Sequence, residues 1–527
     1  MDTHPLLDKL EQLNAIGVAL SREENIEHLL ERILLSAIEL TSADAGTVYL
    51  ANADRALEFR ILVNRSLGIR LGGSQGGEID LPDIPILDAD GHPNDRMVAA
   101  YAAAHQRTVN IEDAARAEGF DFSGTREFNR RTGYVSQSFL TVPLIDHHRE
   151  TIGVLQLINA LDAVTGAIRG FSAEEQRLAE SLASQAAIAY TKRRLIDQLA
   201  ELFESLVNLI NTAIDEKSPY TSKHCERVPV LTMMIAEAAH RAESGPLAEF
   251  RMSDRDRYEL RIAGLMHDCG KITTPVHVMD KSTKLEALSD RIHLVDARFE
   301  VLRRDAAIAR LEALLARPDE REGVEAAYRE RLRQIDDDQA FLRRCNIGGE
   351  AMAAADQERV SRIAGYRWRD GEGIERPFLE PDEEASLRVP RGTLTDAERE
   401  IINHHIVSTI NMLEALPWPR HLARVPEYAG GHHERMDGKG YPRGLTGDRM
   451  SVQARIMAIA DIFEALTAAD RPYKKAKPLS ECLAIMGRMA DEGHIDPDIY
   501  AVFLEAGVPL AYAREFLLPE QIDLGRA

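Results

Sequence analysis

Cysteine is scarce. Only Cys225, Cys269, Cys345 and Cys482 occur in 527 residues, and no two stand at CxxC spacing. That argues against a disulfide framework and against a zinc knuckle. No apolar run is long enough to span a bilayer. The opening stretch MDTHPLLDKLEQLNAIGVAL is acidic and amphipathic, and it lacks a basic n-region and a small-residue cleavage site, so a cytoplasmic protein is expected. Positive charge is also in deficit: the formal net charge is −22. A general nucleic-acid or anionic-membrane binder is therefore disfavoured. An anionic substrate would need local metal ions or a few placed cations to hold it. What is present fits a water-soluble globular chain, 44% hydrophobic and 28% charged. Its length predicts two or three domains.

Residues 1–192 mix strand and helix signals. Ala45–Asn52 and Leu57–Asn64 read as strands separated by a turn, and Ser136–Asn159 as a hairpin turning at DHHRE. Ser172, followed by early glutamates, caps a helix. The expected fold here is α+β, an antiparallel sheet flanked by helices. Leu195, Leu199, Leu202, Leu206, Leu209 and Ala213 then continue at 4-3-4-3-4 spacing, a coiled-coil-type seam over a linker at 193–218 that Pro219 ends. The alternative is a helix packed on its own domain.

Residues 219–515 read as an all-α bundle with an insertion at about 286–393, and 516–527 as a C-terminal tail. Within the insertion, Ile292, Val295, Phe299 and Leu302 mark one amphipathic helix. Val324, Tyr328, Leu332 and Ile335 mark a second, with Pro318 in the turn, which predicts a helical hairpin. A polar, strand-poor stretch, Tyr366–Thr393, returns the chain. The insertion interrupts the segment between Asp268 and His405, so a lid or a dimer contact is the expected role.

The chemistry-bearing residues lie in five separated segments. GLMHDCGK carries His267 and Asp268, YTSKHCERV carries His224, IINHHIVSTI carries His404 and His405, GHHERMDGKGYP carries His432 and His433, and ARIMAIADIFEALT carries Asp461. An HD doublet by itself is more readily structural, produced by chance or capping, than a metal site. An acid such as Asp461 on an apolar helix face needs a partner or a metal. Five helical segments each offering His or Asp fit a polynuclear metal site inside a bundle, and imidazole with carboxylate suits Mn, Fe, Zn, Ni and similar ions.

These motifs, YTxxH, HDxGK, HHExxDGxGYP, ADxFxALT and DRPYK in that order, resemble the HD-GYP family, the cyclic di-GMP phosphodiesterase branch of the HD metal-dependent phosphohydrolases. The resemblance covers about 219–286 and 394–510. It implies that His224, His267, Asp268 and Asp461 bind one divalent ion and that His405, His432 and His433 bind a second, with Asp268 bridging. Iron or manganese is expected, with nickel, magnesium and zinc as alternatives. Tyr220 stands where some members carry a glutamate, which favours two ions over three. Lys271 matches the lysine near the scissile phosphate, and Tyr441, Arg471 and Lys474 match ligand-contacting positions. The implied reaction is hydrolysis of cyclic di-GMP to pGpG, with pGpG or GMP left open as the end product. Two metals would bind phosphate oxygens and activate water, while Lys271, Arg471 and Lys474 supply the local cations. The alternatives are hydrolysis of another cyclic dinucleotide or nucleotide, and a non-enzymatic module that binds cyclic di-GMP or a partner such as a GGDEF-domain protein.

Residues 10–192 resemble a GAF domain, a small-ligand or dimerisation module, and a homodimer through it and the linker helix is expected. Of the cyclic-nucleotide GAF signature, Asn159 and Phe171 fit and Glu174 and Glu175 approximate the acid, but Ala160 replaces the lysine. No cysteine precedes Cys225, so covalent bilin attachment is excluded. His147, His148, His293 and His404 are read as surface residues, His494 as structural and Cys269 as a small buried thiol.

Overall fold

The computed structural model describes residues 5–74, 76–218, 222–349, 351–469 and 476–524. Its contacts divide into two units, 1–203 and 204–527.

The first unit is built on one antiparallel sheet. Helices α1 (Pro5–Arg22) and α2 (Ile26–Thr41) precede strands β1 (Ala43–Ala51), β2 (Ala56–Asn64), β3 (Ile69–Gly72) and β4 (Ile84–Pro85). Helix α3 (Val98–His105), β5 (Val109–Ile111), α4 (Ser123–Thr132), β6 (Phe139–Ile145), β7 (Thr151–Leu161) and β8 (Ile168–Arg169) follow. The strand order is β3-β2-β1-β7-β6-β5, with β4 on β2 and β8 on β7. Side chains alternate across the sheet. Val48, Leu50, Leu155 and Leu157 pack with α2 and Leu178, Leu182 and Ala186 on one face. Tyr49 and Val154 pack with Ala99, Ala100 and Ala103 of α3 on the other.

Helix α5 (Ala173–Lys217) is 45 residues long and runs through the linker without a break. Ser172 Oγ accepts the Glu175 N–H at 3.2 Å, the Glu175 carboxylate accepts the Ser172 N–H at 2.9 Å, and Arg169 grips the same carboxylate. Glu175 therefore caps the helix. Asn159 accepts the Gln137 N–H and donates to Tyr134 and Val135, tying the β6 approach. Both signature positions do structural work, and neither lines the cavity of about 310 Å³ among Thr47, Tyr49, Phe122, Tyr134 and Gln156.

The second unit is helical. Helices α6 (Ser222–His240), α7 (Asp254–Met266) and α8 (Val276–Met279) lead into the predicted hairpin, α9 (Ile292–Ala316) and α10 (Arg321–Asn346). Ile292, Val295, Phe299, Leu302 and Ile335 are buried as expected, whereas Val324, Tyr328 and Leu332 are only half-buried. The stretch after the hairpin corrects the strand-poor reading: helix α11 (Ala354–Ala364) is followed by a β-hairpin, β9 (Arg367–Arg369) with β10 (Glu375–Pro377), then helix α12 (Pro381–Leu387). The Asp370 carboxylate accepts the N–H groups of Glu372 and Ile374 and folds that turn, so two short strands with little apolar alternation still pair. Phe378, Leu379 and Leu387 join Phe299 and Ile335 in a core belonging to the insertion. Helices α13 (Asp396–Glu414), α14 (Val425–Gly430), α15 (Val452–Thr467), α16 (Leu479–Asp491), α17 (Pro497–Glu505) and α18 (Val508–Phe516) complete the bundle. The expected tail is packed, since buried Gln521 donates to the Thr467 and Lys477 carbonyls. Among the described residues no helix is long and apolar enough to cross a membrane.

Candidate metal centre

Helix ends present most of the ligand candidates. Helix α7 is opened by a capping box, Ser253 with Asp256, and buries Leu260, Ile262, Ala263 and Met266. It stops at Met266, so His267 and Asp268 leave its last turn together. The following turn, Cys269–Thr273, presses against α13: a Cβ on Gly270 would lie 2.0 Å from the His405 carbonyl oxygen and 2.5 Å from the Thr409 nitrogen. Only glycine allows that approach. His405 lies mid-way along α13, which Thr395 and Glu398 cap. His432 and His433 follow the end of α14, and Asp461 stands on α15.

The seven side chains converge. Asp268 Oδ2 is 3.2 Å from both His224 Nε2 and His267 Nε2, and its Oδ1 is 3.3 Å from His405 Nε2. Asp461 Oδ1 lies 3.2 Å from His224 Nε2, and His433 Nε2 lies 3.2 Å from His405 Nε2. His224, His267 and Asp268 form one group of metal spacing, and His405, His432 and His433 another. Asp268 stands between them. Two further placements agree with the reading: His404 is exposed, and Cys269 is buried.

Hydrogen bonds fix which nitrogen faces inward. His267 Nδ1 is 2.7 Å from the Gly264 carbonyl, His432 Nδ1 is 2.6 Å from that of Ala429, and His405 Nδ1 pairs with that of Ile402. His224 Nδ1 lies 2.5 Å from Glu464 Oε2. A carbonyl only accepts, so on those three rings Nδ1 must carry the proton and Nε2 turns a lone pair toward the centre. His224 differs, with carboxylates at both nitrogens: burial would lower its pKa, but hydrogen bonds to Asp268, Asp461 and Glu464 outweigh that and raise it well above the usual range, so a cation would have to displace the Nε2 proton. The electrostatics match for the two carboxylates and for His432 and His433. Burial alone would push the Asp268 carboxyl up, but Lys271, His267 and His224 outweigh it and hold it well below the usual range. Burial likewise opposes ionisation of Asp461, and the His224 hydrogen bond reverses it. Burial pushes His432 well down and His433 down to about 4. Ionised carboxylates and neutral imidazoles are the forms that ligate metal.

The donor set fits divalent cations on a further observation. Asp268 Oδ1 and His432 Nε2 are buried and have no hydrogen-bond partner. Buried acceptors without partners are costly. Both lie on the His405, His432 and His433 side of Asp268, where a bound cation would satisfy them.

The GYP loop is folded by its own acids. Buried Glu434 accepts the N–H groups of Arg443 and Leu445, and Asp437 that of Lys439. This brings Tyr441 over His433, with rings stacked at 4.8 Å. Lys271 Nζ lies 2.5 Å from Asp268 Oδ2. Arg471 and Lys474, like Pro219 and Tyr220, lie outside the described residues. Glu464 escaped the sequence reading. Its signal was present, an acid one turn after Asp461 on the same apolar helix.

Comparison with known proteins agrees with this architecture. A GAF-domain model matches residues 25–190, and HD-domain models match 221–347 and 378–499. The chain is thus a multidomain protein with a GAF domain followed by a helical HD domain. Its homologues are named cyclic di-GMP and 3'3'-cGAMP phosphodiesterases, in keeping with the HD-GYP resemblance of its motifs. It is 26% identical over 303 residues to 3'3'-cGAMP-specific phosphodiesterase 3 of Vibrio cholerae, covering 58% of this chain and 39% of that protein. It is 39% identical over 116 residues to a cyclic di-GMP phosphodiesterase of Pseudomonas aeruginosa, covering 22% and 27%. It is 29% identical over 221 residues to the cyclic di-GMP phosphodiesterase response regulator RpfG of Xanthomonas campestris, covering 41% and 53%. In each case the chain spans less than two thirds of the relative's own length.

Proposed function

We propose that the chain is a metal-dependent phosphodiesterase that hydrolyses cyclic di-GMP to linear pGpG and onward to GMP, regulated by its GAF domain. The observation that carries this reading is the division of Asp268 between two histidine groups with inward lone pairs. His224, His267, Asp268 and Asp461 would hold one divalent ion, and His405, His432 and His433, with Asp268, a second. Bound ions would act as Lewis acids on phosphate oxygens and lower the pKa of water. Iron or manganese suits this donor set.

The chain's own groups do the rest. Burial works against the Lys271 ammonium, but Asp268 outweighs it and keeps the charge in place. Held beside Asp268, that ammonium would offset charge developing on the leaving oxygen of a bound phosphodiester. Burial pushes the Tyr441 hydroxyl up, so it stays a protonated donor beside His433. Arg471 and Lys474 would add cations against the dianionic substrate. Each hydrolytic step consumes one water and breaks one P–O bond, and the departing oxygen leaves as a hydroxyl; the cyclic dinucleotide needs one step to reach pGpG and a second to reach GMP. Replacing His432 or His433 by Ala is expected to remove most activity and lower metal content, read by product chromatography and elemental analysis. Unchanged activity with full metal loading would sink this assignment.

A second reading, 3'3'-cGAMP as the preferred substrate, is favoured by the names of several relatives. A homodimer through the GAF domain and α5 is supported by the exposure of Leu195, Leu199, Leu202, Leu206 and Leu209, each 50–67% in the single chain.

A further inference from the structure

We infer that Glu464 is a positioning residue of the metal centre: it orients His224 and makes the His224 side the tighter of the two cation positions. This rests on the metal-centre reading above and goes beyond it.

The four rings are not held alike. His267, His405 and His432 each bond Nδ1 to a backbone carbonyl three residues back, within the helix that precedes or contains them. His224 is the third residue of α6, so no carbonyl three residues back within that helix serves its Nδ1. A carboxylate takes that place, Glu464 Oε2 at 2.5 Å. Glu464 is itself buried, and its other oxygen lies 3.0 Å from Arg227 Nε.

The arrangement is reciprocal. Helix α15 supplies Asp461 and Glu464 one turn apart, and α6 supplies His224 and Arg227 one turn apart. The His224 ring is bracketed by two carboxylates of one helix, Glu464 at Nδ1 and Asp461 at Nε2. Rotation of the ring would break both contacts, so one orientation is selected. A carboxylate acceptor also returns more electron density to the imidazole than an amide carbonyl does, which strengthens Nε2 as a donor. The other histidine group has only neutral carbonyls behind it among the described contacts. Partners of this kind are worth about 10–100-fold in metal affinity.

The test is Mn(II) titration of the full, metal-stripped chain, with free Mn(II) read by electron paramagnetic resonance. The parent is compared with Glu464→Gln, Glu464→Asp, His224→Ala and the His224→Ala, Glu464→Gln pair. The parent should bind in two steps, and His224→Ala should lose the tighter one. Glu464→Gln keeps the shape but not the charge, and should weaken that step about 10–100-fold while leaving the other unchanged. Glu464→Asp keeps the charge and should recover part of the loss. The paired variant should lose no more than His224→Ala alone. If His224→Ala loses a step but Glu464→Gln binds like the parent, the inference is overturned and the metal centre stands. Equal weakening of both steps by Glu464→Gln also overturns it. If His224→Ala binds both ions like the parent, the metal-centre reading fails and the inference goes with it.

Discussion

Gly270 shows how much of the centre rests on a single missing side chain. Its would-be Cβ meets the backbone of α13 at His405 and Thr409. Gly270→Ala is expected to destabilise the HD domain by about 1–3 kcal/mol and to weaken metal binding on the His405 side, checked by urea denaturation and Mn(II) titration. Glu175 offers a pH test in the GAF domain. Burial alone would raise its carboxyl, but Arg169 and the Ser172 N–H outweigh burial and hold it below its ordinary 4.5. A carboxylate lowered in the folded state stabilises above its unfolded pKa, and that stabilisation fades as pH falls through the folded value. Arg169→Gln is therefore expected to lower the GAF melting transition at pH 7 and to differ less from the parent as pH falls below about 4.5, read by calorimetry. Residues of this kind were unevenly legible. His267 and Asp268 stood out only in company, because five separated helical segments each offer His or Asp. Glu464 carried the same kind of signal as Asp461, one turn further along the helix, but its role shows only once its neighbour across the bundle, His224, is known.

At the scale of elements, periodicity carried most of the reading. The insertion hairpin was legible in Ile292, Val295, Phe299 and Leu302, which repeat at helical spacing and are all buried. The β9–β10 hairpin was not, because its strands are short and its turn, not its pattern, folds it. The helices α1 to α4 of the GAF domain also went unassigned. Helix α3, VAAYAAAH, has almost no polar face, so amphipathic spacing says little about it. The insertion has its own core around Phe299, which packs on Phe378 at 4.6 Å. Phe299→Ala is expected to cost about 3–5 kcal/mol locally while Mn(II) binding stays at the parent value. Hydrogen exchange within 285–387 would register the first effect and metal titration the second.

At the scale of the whole molecule, a GAF domain and an HD domain are joined by one continuous helix with an exposed leucine seam. Paired Leu199→Lys and Leu206→Lys substitutions are expected to convert a dimer to a monomer in sedimentation, with the metal content of each chain unchanged. The strong negative charge makes the catalytic claim sharper, since only a local cation cluster could hold a dianionic phosphodiester here. The most direct test is turnover. The full chain, loaded anaerobically with Fe(II) or Mn(II), would be incubated with cyclic di-GMP and, separately, with 3'3'-cGAMP, and the linear products followed by chromatography. A His267→Ala, Asp268→Ala variant would run alongside. The account expects linear dinucleotide from the parent and none from the variant. Tight binding of cyclic di-GMP without turnover under either metal would contradict it and point to a binding module instead.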